Sequence, residues 1–265
     1  GIPVGLKDLY FTKGIRTTMG SKIYENFIPS YDATVTNRLK TAGAIILGKL
    51  QMHEFALGAT SENPHYGPAR NPWNIECMTG GSSGGSASAV ASGQCMAALG
   101  TDTGGSIRIP AALCGIVGFK PTFGRVDRHG VYPLCWSLDT VGPMTRTVYD
   151  AAIMFDSIVS SGNINKFARD YTRELKSSIK GLRIGVPKEY FFNVVDDEVK
   201  EAVLDVADVL KGLGALIVDI SIPVLDHSFA ISTAIMMAES ASLHIENLRN
   251  NAEDIGDDVR SRLEL

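Results

Sequence analysis

Two glycine-serine elements restrict this chain more than anything else in it: Gly80-Gly-Ser-Ser-Gly-Gly-Ser86, and Gly100-Thr-Asp-Thr-Gly-Gly-Ser106, which runs on into Ile107 and Arg108. Glycine is needed where backbone must adopt positive φ or come within contact of another group. Between the two elements, Ser86 to Leu99 carries Ala87, Ala89, Val90, Ala91, Ala97, Ala98 and Leu99, with Gln94 the one strongly polar residue. That run predicts a small-residue helix buried on nearly all sides and open to close approach by other backbone. A flexible linker would not be joined to such a segment. The paired glycines around Ser82 and Ser83 therefore suggest two hydroxyls on a constrained turn. Gly104 and Gly105 before Ser106 offer consecutive N–H groups to one oxygen, which is what an oxyanion needs. Taken singly, each element reads equally as an anion-binding nest or an ordinary turn.

Composition excludes several classes. The chain has 265 residues, 45% hydrophobic and 20% charged, enough to bury a large core in one big domain or two small ones. A net charge of -4 with scattered basic residues gives no footprint for direct nucleic-acid binding. The four cysteines, Cys77, Cys95, Cys114 and Cys135, form no C-x-x-C pair and have no histidines at zinc-binding spacing, so neither a metal site nor a disulfide framework is expected. Reduced thiols fit a cytoplasmic protein. No apolar run approaches the length of a membrane span. The sequence opens at Gly1 inside a strand-like segment and closes, from Asp257 to Leu265, in a helical one without a Gly or Asn cap. It reads as a piece of a longer protein.

Strand-like and helix-like segments alternate along the chain. Thr34 to Ala42 has helical periodicity, Gly43 ends it, and Ala44 to Leu47 reads as a short strand buried on both faces. The grammar returns in Leu182 to Val186, an amphipathic helix from Asp196 to Gly212, and Ala215 to Ile220. This is an α/β pattern with parallel pairing. Asp196-Asp-Glu198 places acids at the positive end of the helix dipole, and Gly212 or Gly214 supplies its C-terminal turn. Asn163 to Ile179 is polar enough for a surface connection or a loose helix. Gly43-Ala-Ile-Ile-Leu-Gly-Lys49 imitates a phosphate loop, but Leu50 replaces the hydroxyl that would ligate magnesium, and the intervening residues are apolar and β-forming.

A nucleophilic serine needs a base. His53, His65, His129, His227 and His244 are available, yet none of them sits in a nucleophile-elbow setting such as G-x-S-x-G. Lys7, in Ile2-Pro-Val-Gly-Leu-Lys7, is a different candidate: on an apolar strand, desolvation would lower its pKa toward neutrality. A lone lysine at a strand end is otherwise a solvated charge. His53 and His65 are expected as loop histidines rather than catalysts, Trp136 either lines a pocket or joins the core, and Met236 and Met237 are expected to pack against the sheet.

With these residues in view, the chain resembles the amidase signature family. The resemblance rests on Gly80 to Ser86 and Gly100 to Pro110, supported by Gly1-Ile-Pro-Val-Gly-Leu-Lys-Asp8, Asn71-Pro-Trp73, Cys114 to Thr122 and Asp139-Thr-Val-Gly-Pro143. It implies a mixed, largely parallel α/β sheet covered by helices on both faces, truncated here at both ends. Residues 1–265 would form one incomplete amidase signature domain, with a catalytic core over 1–150 and an α/β continuation over 180–265. It also implies a Ser-cis-Ser-Lys triad. Ser106 would be the nucleophile, Ser82 the bridging serine on a cis peptide after Gly81, and Lys7 the base. Backbone N–H groups of Thr103, Gly104, Gly105 and Ser106 would form the oxyanion hole, and Ser83, Asp102 and Arg108 would hold these loops by hydrogen bonds. No metal and no organic cofactor is implied.

The family spans stand-alone amidases and the glutaminase component of glutamyl-tRNA(Gln) amidotransferase, its A subunit. Met52-His-Glu-Phe55, Pro133 to Leu138 and Glu253 to Leu263 resemble the stand-alone enzymes, so a small-molecule amide is the expected substrate, and a homodimer would suit such a family. The amidotransferase alternative would add partner subunits. A truncated, non-catalytic binding form is the further alternative.

Overall fold

The computed structural model describes residues 1–159 and 170–265. In chain order the elements are β1 (Pro3–Lys7), α1 (Thr34–Thr41), β2 (Ile45–Leu50), β3 (Arg70–Asn71), β4 (Asn74–Met78), α2 (Gly84–Ala91), β5 (Ala97–Asp102), α3 (Arg108–Leu113), β6 (Val117–Gly118), β7 (Thr140–Thr145), α4 (Val148–Ile158), α5 (Tyr171–Glu174), β8 (Arg183–Pro187), α6 (Asp197–Gly212), β9 (Leu216–Ile220), α7 (Ser228–Asn251) and α8 (Asp257–Leu263). They fall into two compact units, Gly1–Thr172 with Ile235–Leu265, and Arg173–Ala234.

The first unit is built on a mixed five-stranded sheet of order β2-β1-β5-β7-β6. Strand β1 pairs in parallel with β2 and β5, while β7 runs antiparallel to β5 and β6. Because β1 and β5 are parallel and adjacent, with Leu6 opposite Leu99, their carboxyl ends deliver Lys7 and Thr101-Asp102 to the same edge of the sheet. Strands β5 and β7 are buried along their whole length, and β1 is buried from Val4 onward. Val4, Leu6, Leu99 and Val141 join the main core, against which Met236 and Met237 of α7 pack as expected.

Two expectations fail here for physical reasons. Ser86 to Leu99 is not one helix. Helix α2 stops at Ala91, Gly93 takes φ +76°, and the N–H groups of Gly93 and Gln94 return to the carbonyls of Val90 and Ala89. This is the left-handed glycine cap that closes a helix, and it frees Ala97-Ala98-Leu99 to become a central strand where small side chains suit close packing. Nor is the strand after Gly43 buried on both faces: β2 is the edge of the sheet, and Ile45 and Leu47 are 54% and 56% exposed. The phosphate-loop imitation lies in β2 itself, with its lysine, Lys49, ion-paired to Asp8 at 3.2 Å.

The second unit contains β8, α6 and β9, with β8 and β9 parallel. Asp196 is the N-cap of α6 and Asp197 and Glu198 occupy its first turn. Gly214, at φ +96°, closes its other end, so of the two glycines expected for that turn it is Gly214 that makes it. Of the polar run Asn163 to Ile179, residues 163–169 lie outside the described residues; Tyr171–Glu174 of the remainder forms a single helical turn. Among the described residues no helix is long and apolar enough to cross a membrane.

Candidate active site

The first glycine-serine element turns tightly into α2, with a cis peptide between Gly81 and Ser82. Glycine is required at its helical start: a Cβ on Gly84 would stand 2.2 Å from Thr79 Oγ1 and 2.5 Å from Ser61 Oγ. Gly84 N–H instead donates to Ser61 Oγ at 3.0 Å. The turn is thereby pressed against residues 51–61, and His53 N–H donates to the Ser82 carbonyl at 3.2 Å.

Ser82 and Lys7 are both fully buried and meet directly, Lys7 Nζ donating to Ser82 Oγ at 2.7 Å and to Thr101 Oγ1 at 3.0 Å. No carboxylate is hydrogen-bonded to the amine among the described residues. Burial therefore dominates, and it lowers the Lys7 pKa to about 7 even though Asp139 and Asp102 act in the opposite direction. An amine at that pKa divides between its base and acid forms near neutral pH.

The second element leaves β5 and wraps around one carboxylate. Asp102, fully buried, accepts the N–H groups of Gly105 at 2.9 Å, Ile107 at 3.1 Å and Arg108 at 3.3 Å, and pairs with the Arg108 guanidinium at 2.8 and 3.0 Å. Burial alone would raise its pKa, but Arg108 and these backbone donors hold it below the ordinary carboxylate value. Asp102 thus fixes the path of residues 103–108. Ser83 locks the two elements together: its hydroxyl donates to Thr101 O and accepts Thr101 N–H, and its N–H donates to Ser106 O at 3.2 Å. The hydroxyl of Ser106 makes no hydrogen bond among the described residues, and the residue is half-buried.

The loop departs from expectation at one backbone donor. Gly105 N–H is committed to Asp102 and does not point freely at a ligand. Among the described residues, the N–H groups of Thr103, Gly104 and Ser106 have no acceptor.

Residues 1–264 match the Amidase family. The chain belongs to that family. It is 50% identical over 247 residues to the A subunit of glutamyl-tRNA(Gln) amidotransferase from Geobacter metallireducens, covering 91% of this chain and 51% of that one. The chain spans about half the length of the curated relatives it matches. Among solved structures, the corresponding subunit from Thermotoga maritima superposes with a TM-score of 0.85 at 40% identity, over 99% of this chain and 58% of that one. A structure from a vestigial protein complex bearing on the evolutionary origins of an s-triazine catabolic enzyme gives a TM-score of 0.92 at 38% identity, with coverage of 99% and 58%.

In this amidase-family chain, sequence reasoning misses several groups that position the site. Thr101 lies in plain view within the second element, yet only the strand pairing reveals its hydroxyl on Lys7. Asp139 accepts Thr103 Oγ1 at 2.6 Å and the N–H groups of Leu134 and Cys135, tying the second element to a segment 36 residues away. Tyr10 Oη donates to Gly100 O at 2.6 Å, and Ser61 receives Gly84.

The histidines lie in other roles. His53 Nε2 is 3.0 Å from Asp258 Oδ2 on α8, and burial lowers its pKa against the pull of that carboxylate. His65 pairs with buried Glu54, and His129 stacks on Tyr31. His244 is a core histidine packed on Phe55, its pKa pushed down to about 4 by burial, and His227 is exposed. Trp136 is 46% exposed rather than core. Among the described residues no group of three His, Cys, Asp or Glu side chains is arranged to hold a metal ion.

Proposed function

We propose that this chain hydrolyses a carboxylic amide through an acyl-enzyme on Ser106, and that the amide is the side chain of glutamine, as in an amidotransferase A subunit. The observation that carries the first part is the buried contact of Lys7 Nζ with Ser82 Oγ at 2.7 Å, with the amine's pKa near 7. The 50% identity to an amidotransferase A subunit favours the glutamine reading over the stand-alone amidase suggested by Met52-His-Glu-Phe55.

In this reading, neutral Lys7 accepts the Ser82 proton as Ser82 accepts that of Ser106, and Ser106 Oγ attacks the amide carbon. Negative charge gathers on the carbonyl oxygen, for which the uncommitted N–H groups of Thr103, Gly104 and Ser106 are the available donors. The proton returns along the same path to the amide nitrogen, the carbon–nitrogen bond breaks, and ammonia leaves. Water, deprotonated by the same relay, then attacks the ester and releases glutamate. Partner subunits would consume the ammonia, and contact with tRNA would be theirs. This reading places the protein in the cytoplasm.

The test is a stoichiometric assay of ammonia and glutamate from glutamine, run beside simple aliphatic and aromatic amides. Equal ammonia and glutamate, lost in Ser106→Ala, supports the glutaminase reading. Turnover confined to the other amides moves the chain to the stand-alone class. No turnover of any amide by a chain that melts cooperatively favours the binding form.

A further inference from the structure

The segment between β6 and β7 meets the second glycine-serine element through one side chain. Asp139 is buried; its Oδ1 accepts Thr103 Oγ1 at 2.6 Å, and its Oδ2 accepts the N–H groups of Leu134 at 2.8 Å and Cys135 at 3.0 Å. Backbone closes the same turn, the N–H groups of Leu138 and Asp139 donating to Cys135 O at 3.2 and 2.9 Å. Whatever fixes residues 134–139 therefore bears on Thr103. The N–H of Thr103 has no acceptor among the described residues and is one of the donors proposed for the oxyanion.

The turn is also held by α7, from the part of that helix that belongs to the first unit. Glu239 Oε2 accepts the Cys135 thiol at 3.0 Å and Ser137 N–H at 3.0 Å, and its Oε1 accepts the Ser137 hydroxyl. The next residue, buried Ser240, donates to Leu134 O at 3.1 Å. Burial acts to raise the Glu239 pKa, but the Ser137 hydroxyl, the Cys135 thiol and the N–H groups of Ser137 and Trp136 hold it below the ordinary carboxylate value. An ionised carboxylate only accepts, which matches a turn that presents these donors; a glutamine of the same size would set an NH₂ group against some of them.

We propose that Glu239 is a positioning residue for the serine-lysine site: through residues 134–139 and the Asp139–Thr103 hydrogen bond, it sets where the Thr103 N–H points. The effect on rate rests on the acyl-enzyme reading, whereas the path from Glu239 to Thr103 is testable without it.

The test compares the 265-residue chain with Glu239→Gln and Glu239→Ala. One readout is the rate at which a fluorophosphonate labels Ser106, since its phosphoryl oxygen takes the place of the oxyanion; the other is the amide NMR signals of Thr103 and Gly104. Labelling should slow about tenfold in both variants, a fraction of the loss expected when an oxyanion donor is deleted outright. For any amide that is turned over, kcat should fall by a similar factor with KM changed by less than about twofold. The Thr103 and Gly104 signals should move together with those of Cys135 and Ser137. Thr103→Val deletes the hydroxyl and keeps the N–H; on that background Glu239→Gln should slow labelling by less than about twofold, because the path is already cut. An unchanged labelling rate in the Glu239 variants, a tenfold loss that persists on the Thr103→Val background, or signals that move at Cys135 and Ser137 but not at Thr103 and Gly104 overturns the proposal. If the wild-type chain takes no label and hydrolyses no amide, the acyl-enzyme reading fails and the NMR signals alone decide this one. Should Glu239→Ala fail to fold, Glu239→Gln carries the test.

Discussion

Replacing Lys7 by methionine keeps an unbranched side chain of similar length and removes a fully buried amine. The Lys7 pKa drops from 10.5 to about 7, chiefly through burial. Between those values the unfolded chain holds a proton that the folded chain does not, so the wild-type protein gains stability as pH rises through this window. At about 1.4 kcal/mol per pH unit, the lysine costs on the order of 5 kcal/mol at pH 7 and below, and nothing above about pH 10.5. Methionine carries no such penalty. It does strip Ser82 and Thr101 of a donor, a loss of about 1 to 3 kcal/mol that does not vary with pH. The advantage of Lys7→Met over wild type should therefore shrink by about 1.4 kcal/mol per unit from pH 7 to pH 10. Urea unfolding of both proteins at pH 7, 8 and 9 measures this, with all other titrating groups cancelling in the difference. A difference that stays constant with pH would refute the reasoning, because it would mean that Lys7 keeps its proton in the fold. The same substitution should abolish amide hydrolysis, so the variant gains stability as it loses function.

Three further outcomes follow from the geometry. Asp102→Asn breaks the pair with the half-exposed Arg108 and slackens residues 103–108; thermal melts should show a loss of about 1 to 3 kcal/mol, with turnover falling further than substrate affinity. Because the Asp102 pKa is held low in the fold, its contribution is present above the unfolded carboxylate pKa and is lost as pH falls through the folded one, so wild type and variant should converge in acid. Thr101→Val removes an acceptor from the Lys7 ammonium without changing side-chain shape, which lowers the amine's pKa further and should shift the acid limb of the pH-rate profile to lower pH. Gly84→Ala drives a methyl into Thr79 and Ser61, and should yield little folded protein; soluble expression and a near-native melt would contradict the close packing of that turn.

The sequence points to the residues of the candidate site more readily than to the groups that support them. Lys7, Ser82 and Ser106 stand in the segments that carry the family resemblance, and the fold brings Lys7 onto Ser82 and Ser83 onto Ser106. The alternation from Leu182 to Ile220 is equally legible, since a capped amphipathic helix between two apolar runs has one economical reading. Small residues mislead: alanine suits a buried helix and a central strand alike, so the change at Gly93 hinges on one backbone angle. Edge and centre cannot be told from Ala44 to Leu47, because pairing partners decide exposure. Asp139, Tyr10 and Ser61 reach the two glycine-serine elements through contacts that span 23 to 90 residues. No local pattern carries such information. The preference for a stand-alone amidase rests on a few local segments, and similarity along most of the chain favours the amidotransferase A subunit instead.

The most direct test of the account is the rate at which a fluorophosphonate labels this chain as a function of pH, with the adduct located by mass spectrometry. The account predicts a single adduct on Ser106, a labelling rate that climbs through a midpoint near pH 7, and a slow, flat profile in Lys7→Met. An adduct on another residue, or a Ser106 rate indifferent to both pH and Lys7, would contradict it.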